Sequence, residues 1–130
     1  MSKKILIIDD ETMITKSLKK LLTKEGYLPT IVSSGNEALD QLKTDNFDLL
    51  VLDMRMPQMD GIETIRAIRQ YLAIEQKDPM PEIVITGYAD ENKYKCAVDL
   101  KVAAYIYKPF DTKDFMATVK KALGEDNAAK

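Results

Sequence analysis

Short apolar runs alternate with longer amphipathic stretches along the chain. Each apolar run has the length of a strand, and together the runs predict strands at about residues 4–8, 28–32, 48–52, 82–85 and 103–107. Between the runs, apolar residues recur at helical spacing, as Ile14, Leu18, Leu21 and Leu22 do in the first stretch. The pattern therefore predicts five strands that alternate with five helices.

Residues typical of turns and helix caps separate these segments. Gly26 is well placed to end the first helix, since glycine readily adopts the left-handed conformation that follows a helix. Ser34 with Glu37 has the spacing of a capping box at the start of the second helix. Asp60 with Glu63 has the same spacing at the start of the third.

Strictly alternating strands and helices predict an α/β fold with a doubly wound, five-stranded parallel sheet and helices on both faces. Right-handed crossovers restrict the topology, and the flavodoxin-like strand order 2-1-3-4-5 is the common solution for five units. The third strand is almost continuously apolar, as a central strand buried on both faces should be. We expect one domain over residues 1–124 and a short polar tail over 125–130.

Composition narrows the classes of function. A length of 130 residues, with 45% apolar and 31% charged residues, suits one globular domain. The chain has no histidine, which excludes histidine-based triads, histidine metal sites and an internal phosphohistidine. The net charge of -2 gives no electrostatic attraction to nucleic acid. The single Cys96 forbids an internal disulfide and fits a reducing compartment.

The amino terminus carries no targeting signal that we can identify. A short basic lead is followed by an apolar run that Asp9, Asp10 and Glu11 interrupt. The run is far too short for a signal peptide or a membrane span. We therefore expect a cytoplasmic protein with no membrane contact.

Polar residues follow four of the predicted strands. Asp9 and Asp10 follow the first strand, Asp53 the third, Thr86 the fourth and Lys108 the fifth. In a parallel α/β sheet the carboxyl ends of the strands share one edge, and ligands bind there. Carboxylates brought so close repel each other unless a cation neutralises them, and Mg²⁺ takes carboxylate and phosphate oxygens as ligands. The pattern predicts a site that places a phosphoryl group on one carboxylate.

The chain resembles the receiver domain of bacterial two-component response regulators over about residues 3–124. Each motif that carries the resemblance is weak alone, but all four occur in order, each at the end of a strand. The motifs are Ile-Ile-Asp9-Asp10-Glu11, Leu-Asp53-Met-Arg-Met56-Pro57-Gln-Met-Asp60-Gly61, Ile-Thr86-Gly87-Tyr88 and Tyr105-Ile-Tyr-Lys108-Pro109-Phe110.

The resemblance implies that Asp53 is phosphorylated by a phosphohistidine on a sensor histidine kinase or a histidine phosphotransfer protein. It implies Mg²⁺ held by Asp10, Asp53 and the backbone carbonyl of Arg55, with Asp9 acting through water. The chain would then be a signalling switch and not an enzyme in the usual sense. It would catalyse only its own phosphoryl transfer and a slow autodephosphorylation.

Three residues are expected to hold the phosphoryl group. Lys108 supplies a point charge, the Thr86 hydroxyl a hydrogen bond, and Gly87 its backbone amide. Gly87 has no side chain, so the backbone there can approach the phosphoryl closely. Movement of Thr86 would free space for Tyr105, a position that switches rotamer in many receivers, although a strand aromatic is ordinarily part of the core.

Two further residues bear on the lifetime of the phosphoryl group. Arg55 lies two residues after the acceptor and Tyr88 two residues after the threonine, positions that flank the path of the hydrolytic water in receivers. Both are large, so we expect a long lifetime, since in-line attack needs an open path.

A glycine that is usual before the fifth strand is replaced by Lys101, which makes that turn less favourable.

Output is expected through a protein partner, either a downstream effector or a second copy, and not through nucleic acid. The expected surface is the face formed by the fourth helix, the fifth strand and the fifth helix. This face carries lysines that could pair with an acidic partner or could simply be solvated. The lysines are Lys93, Lys95, Lys101 and Lys113.

Three other classes of function were weighed against this one. A degenerate receiver would bind partners without phosphorylation, but the set of Asp10, Asp53, Thr86 and Lys108 is intact. A haloacid-dehalogenase-like phosphatase needs Asp-x-Asp at the nucleophile, and here Arg55 stands at the second position. A flavodoxin-like flavin binder would need a hydroxyl-rich phosphate loop after the first strand, which this sequence lacks.

Overall fold

The predicted alternation of strands and helices is confirmed in the computed structural model, which describes residues 2–54, 60–87 and 91–125. The strands and helices, in chain order, are β1 (Lys4–Ile8), α1 (Thr12–Lys24), β2 (Leu28–Val32), α2 (Gly35–Thr44), β3 (Leu49–Asp53), α3 (Gly61–Ile74), β4 (Glu82–Thr86), α4 (Glu91–Asp99), β5 (Ala104–Tyr107) and α5 (Thr112–Ala122). None of the helices within the described ranges is long and apolar enough to cross a membrane.

The five strands form one parallel sheet in the order β2-β1-β3-β4-β5, as the sequence predicts. The register aligns the ends of the central strands, with Ile8 opposite Leu52 and Asp53 opposite Ile85. β3 and β4 each extend one residue beyond the predicted ends, so that Asp53 and Thr86 are the last residues of their strands. The backbone ladder explains the extension, because the Met54 amide still donates to the Ile85 carbonyl at 2.9 Å.

Alternation along the strands divides the apolar side chains between two cores. Leu6, Ile8, Leu50, Leu52 and Val84 face α2, α3 and α4 in one core. The residues between them face α1 and α5 in the other, which includes Ile5, Ile7, Leu49, Val51, Ile83, Ile85 and Phe115. All five residues of β3 and of β4 are buried, because helices cover both faces of these strands.

The helix ends follow the expected signals with one shift. Gly26 has φ +93°, and the Asp60–Glu63 capping box is complete. At α2 the Ser34 hydroxyl accepts from the Glu37 amide at 3.1 Å. The Glu37 carboxylate, however, accepts at 2.9 Å from the amide of Ser33, one residue before the cap. The expected box is therefore present at α2 in a displaced form.

Candidate functional site

The end of β1 places a buried carboxylate at the carboxyl edge of the sheet. The Asp9 amide donates to the Val32 carbonyl at 3.1 Å, which extends the β1–β2 ladder by one residue. The Asp9 carboxylate accepts from the Glu11 amide at 2.9 Å, a turn contact that orients both residues. Only 4% of Asp9 is exposed. The local backbone thus fixes Asp9 inside the site.

Asp53 enters the same site from the end of β3. It is 5% exposed, and its Oδ2 lies 2.9 Å from the Lys108 Nζ. The chain returns close to this strand end, because the Gly61 amide donates to the Met54 carbonyl at 3.0 Å. A Cβ at position 61 would lie 3.0 Å from the Met54 Cα, so the close return favours glycine. The residue that follows Asp53 and the first residue of α3 are therefore held together.

Lys108 connects the acidic groups. Its amide donates to the Thr86 carbonyl at 2.8 Å, which extends the β4–β5 ladder beyond Tyr107. Its Nζ lies 2.7 Å from Glu11 Oε1 and 4.0 Å from Asp9 Oδ2, besides its bond to Asp53. The side chain of Lys108 is 17% exposed, so these contacts hold the ammonium largely out of water.

Among the described residues of the site, carboxylates outnumber cations. Carboxylate oxygens of Asp9, Glu11 and Asp53 all lie within 4.8 Å of one another, and all three acids lie within 4.0 Å of the Lys108 ammonium. Burial raises the pKa of Asp9 from 3.8 to about 6, and the Asp53 charge adds to the rise, while the Glu11 amide and Lys108 oppose it. Burial lowers the pKa of Lys108, but its bonds to Glu11 and Asp53 outweigh this and raise it overall. The site holds a surplus of negative charge.

The donor set suits a hard divalent cation. Mg²⁺ prefers carboxylate oxygens, and a cation would offset the burial and the Asp53 charge that raise the pKa of Asp9. The acidic cluster in the described part of the chain contains Glu11 and not Asp10, which is exposed. The prediction that Asp10 is a direct ligand stays a prediction. The sequence analysis missed Glu11, although it follows the aspartate pair directly.

Thr86 and Gly87 lie where the sequence predicts, beside the strand that carries Asp53. Thr86 is completely buried at the end of β4, paired with Tyr107, and Gly87 is exposed. A Cβ built on Gly87 would meet no heavy atom of the described residues within 4 Å. The packing of the described residues therefore does not require glycine at this position. Arg55 and Tyr88 lie outside the described residues.

Tyr105 lies on β5 between two other tyrosine rings. Its ring meets Tyr94 edge-on at 5.1 Å and Tyr107 at 5.4 Å between centroids. Tyr105 is half-buried and packs against the core on the α4 side, whereas Tyr94 and Tyr107 are exposed. The aromatic row leads from the core to the outer face formed by α4, β5 and α5.

An ion pair links the two helices that follow the site. The Lys93 ammonium on α4 contacts the carboxylate of Asp60, the residue that caps α3. Burial alone would raise the pKa of Asp60, but the Glu63 amide and Lys93 lower it overall. Lys93, expected as a lysine available to a partner, thus already has an internal contact.

Comparison with known proteins identifies close relatives. A sequence model of the response regulator receiver domain matches residues 5–120. The chain is 36% identical over 129 residues to the alkaline phosphatase synthesis transcriptional regulatory protein PhoP of Bacillus subtilis (strain 168), covering 99% of this chain and 52% of that protein. It is 35% identical over 120 residues to the transcriptional regulatory protein CpxR of Escherichia coli (strain K12), covering 92% and 49%. The chain thus spans about half the length of these curated relatives.

A solved structure agrees with the sequence comparison. The response regulator receiver domain protein (CheY-like) from Methanospirillum hungatei JF-1 superposes with a TM-score of 0.86. The two chains are 30% identical, and the match covers 100% of each. The strand order and the five helices observed here are those of this fold.

Proposed function

Because the chain belongs to the response regulator receiver domain family, we propose that it is a phosphorylation-dependent switch in which Asp53 accepts the phosphoryl group. Receiver domains of this family are signalling modules of two-component systems and not enzymes in the usual sense. The observation that carries the proposal is the 2.9 Å contact between the buried Asp53 carboxylate and the Lys108 ammonium, at the edge where Asp9 and Thr86 also lie.

The proposed donor is a phosphohistidine on a sensor histidine kinase or a histidine phosphotransfer protein. A carboxylate oxygen of Asp53 attacks phosphorus, the P–O bond forms, and the P–N bond breaks. The imidazole leaves with the bonding pair as a neutral ring, since its other nitrogen already carries a proton. Lys108, the Thr86 hydroxyl and the Gly87 amide then hold the phosphoryl oxygens, because each can donate a hydrogen bond to an anion.

We propose that Mg²⁺ is held by Asp10, Asp53 and the backbone carbonyl of Arg55, with Asp9 acting through water. When bound, Mg²⁺ supplies neutralisation of the negative charge that gathers at the phosphoryl group. The cluster of Asp9, Glu11 and Asp53 supports a divalent cation at this edge, since three carboxylates there share one ammonium. Which oxygens bind it directly is open to test by substitution of each acid.

The proposed switch runs from the phosphoryl group to the outer face. A phosphoryl group on Asp53 draws the Thr86 hydroxyl toward it, and the Tyr105 ring moves into the space that Thr86 leaves. The edge-on contacts of Tyr105 with Tyr94 and Tyr107 support this route, because any movement of Tyr105 must change both exposed rings. A Thr86→Ala variant should still be phosphorylated but should lose the change on that face.

The proposed output partner is a protein, either an effector or a second copy, on the face formed by α4, β5 and α5. The net charge of -2 gives this segment little attraction to nucleic acid. Two relatives are transcriptional regulatory proteins, and this chain spans about half of their length. Calorimetric binding with and without beryllofluoride, beside a DNA titration at physiological salt, tests this. Specific submicromolar DNA binding by this segment would contradict the proposal.

The proposed lifetime of the phosphoryl group depends on Arg55 and Tyr88. Both side chains are large enough to hinder the in-line approach of water. Truncation of Tyr88 to alanine should therefore speed dephosphorylation. An unchanged or slower rate would argue against steric shielding.

Intact mass spectrometry tests the central proposal. Incubation with a small phosphodonor and Mg²⁺ should add one phosphate to the wild-type chain. EDTA or an Asp53→Ala variant should abolish the addition. An Asp40→Asn variant is a matched control, since Asp40 is an exposed carboxylate on α2 far from the edge, and it should be labelled as wild type. Equal labelling of wild type and Asp53→Ala would show that Asp53 is not the phosphoryl acceptor.

A further inference from the structure

Glu11 makes a contact that its position before α1 does not predict. It is the N-cap residue of α1, yet among the described residues its side chain makes no capping hydrogen bond. Its Oε1 instead accepts from the Lys108 Nζ at 2.7 Å, across 97 residues of sequence. This contact is shorter than the 2.9 Å between Lys108 and Asp53. Glu11 therefore belongs to the charge network of the site.

The pair runs from the buried site to the surface. The Glu11 side chain is 55% exposed, and that of Lys108 is 17% exposed. The more exposed Glu11 carboxylate thus contacts the same ammonium as the buried Asp53 carboxylate. An anion that approaches Asp53 and pairs with Lys108 therefore comes close to the Glu11 charge.

Lys108 cannot serve every acid equally once a phosphoryl group arrives. An ammonium has three N–H donors, and in the present arrangement Glu11 and Asp53 each take one. A phosphoryl group on Asp53 brings further negative charge and needs a donor from the same nitrogen. The third donor remains for the phosphoryl group, but the Glu11 carboxylate on the same ammonium repels that group.

We propose that Glu11 is a specificity-determining residue for the phosphodonor, which disfavours donors of high negative charge. The inference rests on the proposed role of Asp53 as the acceptor. The Glu11 carboxylate contacts Lys108 in the unphosphorylated protein. It imposes an electrostatic penalty that grows with the negative charge of the donor. Phosphohistidine and other phosphoramidates, with a nitrogen leaving group, are penalised less than dianionic acyl phosphates.

Two small donors separate this effect from a structural one. Acetyl phosphate is a dianion near neutral pH, and phosphoramidate is a monoanion. In the first, Asp53 oxygen attacks phosphorus and acetate leaves with the bonding pair. In the second, the P–N bond breaks and ammonia leaves with the pair. The two donors differ in leaving group in every variant alike, so a change in the ratio of the two rates between variants reports the charge near the donor.

The informative variant is Glu11→Gln, which keeps length and an acceptor oxygen but removes the charge. We expect the acetyl phosphate rate to rise by about 3- to 10-fold, as the loss of one nearby charge at intermediate dielectric implies. The phosphoramidate rate should rise by a smaller factor, so the ratio changes. Glu11→Asp, which keeps the charge, should keep the wild-type ratio. Glu75→Gln, an exposed glutamate at the end of α3, is the control.

Each reaction is run at Mg²⁺ that saturates the variant, as judged by calorimetry, so that altered Mg²⁺ affinity does not enter the rates. A second readout is the NMR signal of the Lys108 ammonium. It should move in Glu11→Gln and stay in place in Glu75→Gln, because only Glu11 contacts it at 2.7 Å.

The outcomes distinguish this inference from the function on which it rests. If wild type is labelled by both donors but Glu11→Gln keeps the wild-type rate ratio, the role of Glu11 is overturned and Asp53 stands as acceptor. If neither donor labels wild type, both are overturned. The inference is supported if the ratio of the two donor rates changes in Glu11→Gln but stays at the wild-type value in Glu11→Asp.

Discussion

Buried charge lies at both edges of the sheet. Among the residues that the structure describes, carboxylate and cation are matched one to one at one edge, whereas carboxylates outnumber the cation at the other. At the amino edge, Glu82 begins β4, is 3% exposed, and accepts two bonds of 2.8 Å each from the guanidinium of Arg69 on α3. At the carboxyl edge, Asp9, Glu11 and Asp53 share Lys108. The charge of one carboxylate is balanced by one bidentate guanidinium at the amino edge. Three carboxylates around one ammonium favour a further cation at the carboxyl edge.

The pKa values follow the same division. The hydrogen bonds that Arg69 donates to Glu82 raise the pKa of Arg69, so the charged form is favoured at the amino edge. At the carboxyl edge, burial and the Asp53 charge raise the pKa of Asp9 to about 6, so the charged form is disfavoured. The carboxyl edge, where we propose that Mg²⁺ and the phosphoryl group bind, is therefore electrostatically unfavourable, whereas the ion pair at the amino edge stabilises the fold.

The largest expected effect comes from breaking the matched pair. Arg69→Met leaves Glu82 buried without its guanidinium and should lower the free energy of unfolding by about 2–4 kcal/mol. The double variant Arg69→Met/Glu82→Met should recover most of the loss, since two apolar side chains leave no unpaired charge. Urea unfolding at pH 7 measures this.

The control for that experiment is Arg66→Met, an exposed arginine on the same helix. It should change stability by less than about 0.5 kcal/mol. Equal losses in Arg66→Met and Arg69→Met would show that the amino edge does not depend on the matched pair.

Removal of one carboxylate charge at the carboxyl edge should raise the stability of the protein, whereas breaking the pair at the amino edge lowers it. Asp9 ionises with a pKa of about 6 in the fold and 3.8 as its ordinary value, so above pH 6 its charge opposes folding. Asp9→Asn should therefore stabilise the metal-free protein at pH 7 by roughly 1–3 kcal/mol. Thermal unfolding in EDTA measures it, with Asp40→Asn as the control. Destabilisation by Asp9→Asn would contradict an unmatched edge.

The same titration predicts how stability responds to pH and Mg²⁺. The stability difference between Asp9→Asn and wild type in EDTA should be absent below pH 3.8 and grow as pH rises through about 6. Added Mg²⁺ should stabilise wild type by on the order of 1–2 kcal/mol at pH 7.5 and less at pH 5.5, because protons compete for the carboxylate. A Mg²⁺ effect independent of pH would argue that Asp9 has no part in binding.

The smallest effect should come from a backbone position at the amino edge. Lys101 has φ +58°, a conformation that glycine adopts without strain, and it lines one groove with Arg69 and Glu82. Lys101→Gly should stabilise the protein by about 0.5–1 kcal/mol relative to Lys101→Ala, which loses the same charge but keeps the strain. Mg²⁺ affinity should not change in either variant. A change in Mg²⁺ affinity would show that the two edges are coupled.

The sequence was sufficient for the fold and for the backbone of the site. Periodicity located the strands, and strand ends then placed Asp9, Asp53 and Lys108 together, because parallel strands share an edge. The strained turn at Lys101 also followed from the missing glycine, and its positive φ confirms it. These features depend on the local pattern of apolar residues and on the order in which strands and helices alternate. Both can be read from the sequence.

Side-chain contacts between distant elements did not follow from the sequence. Glu82 could be read only as the start of a strand, and nothing in the periodicity of α3 indicates that Arg69 reaches it. Glu11 has several rotamers, and its contact with Lys108 depends on how β1 and β5 are placed across the sheet. Such pairs require the assembled fold, since the partners are set by tertiary packing and not by spacing.

Chemical mapping of the phosphorylated residue tests the central claim most directly. Wild-type protein is treated with phosphoramidate and Mg²⁺, and borohydride then reduces an aspartyl phosphate to homoserine, which peptide mass spectrometry locates. We expect homoserine at Asp53 and at no other aspartate, and none when EDTA replaces Mg²⁺. Homoserine at Asp9, Asp10 or another aspartate, with Asp53 unmodified, would contradict it.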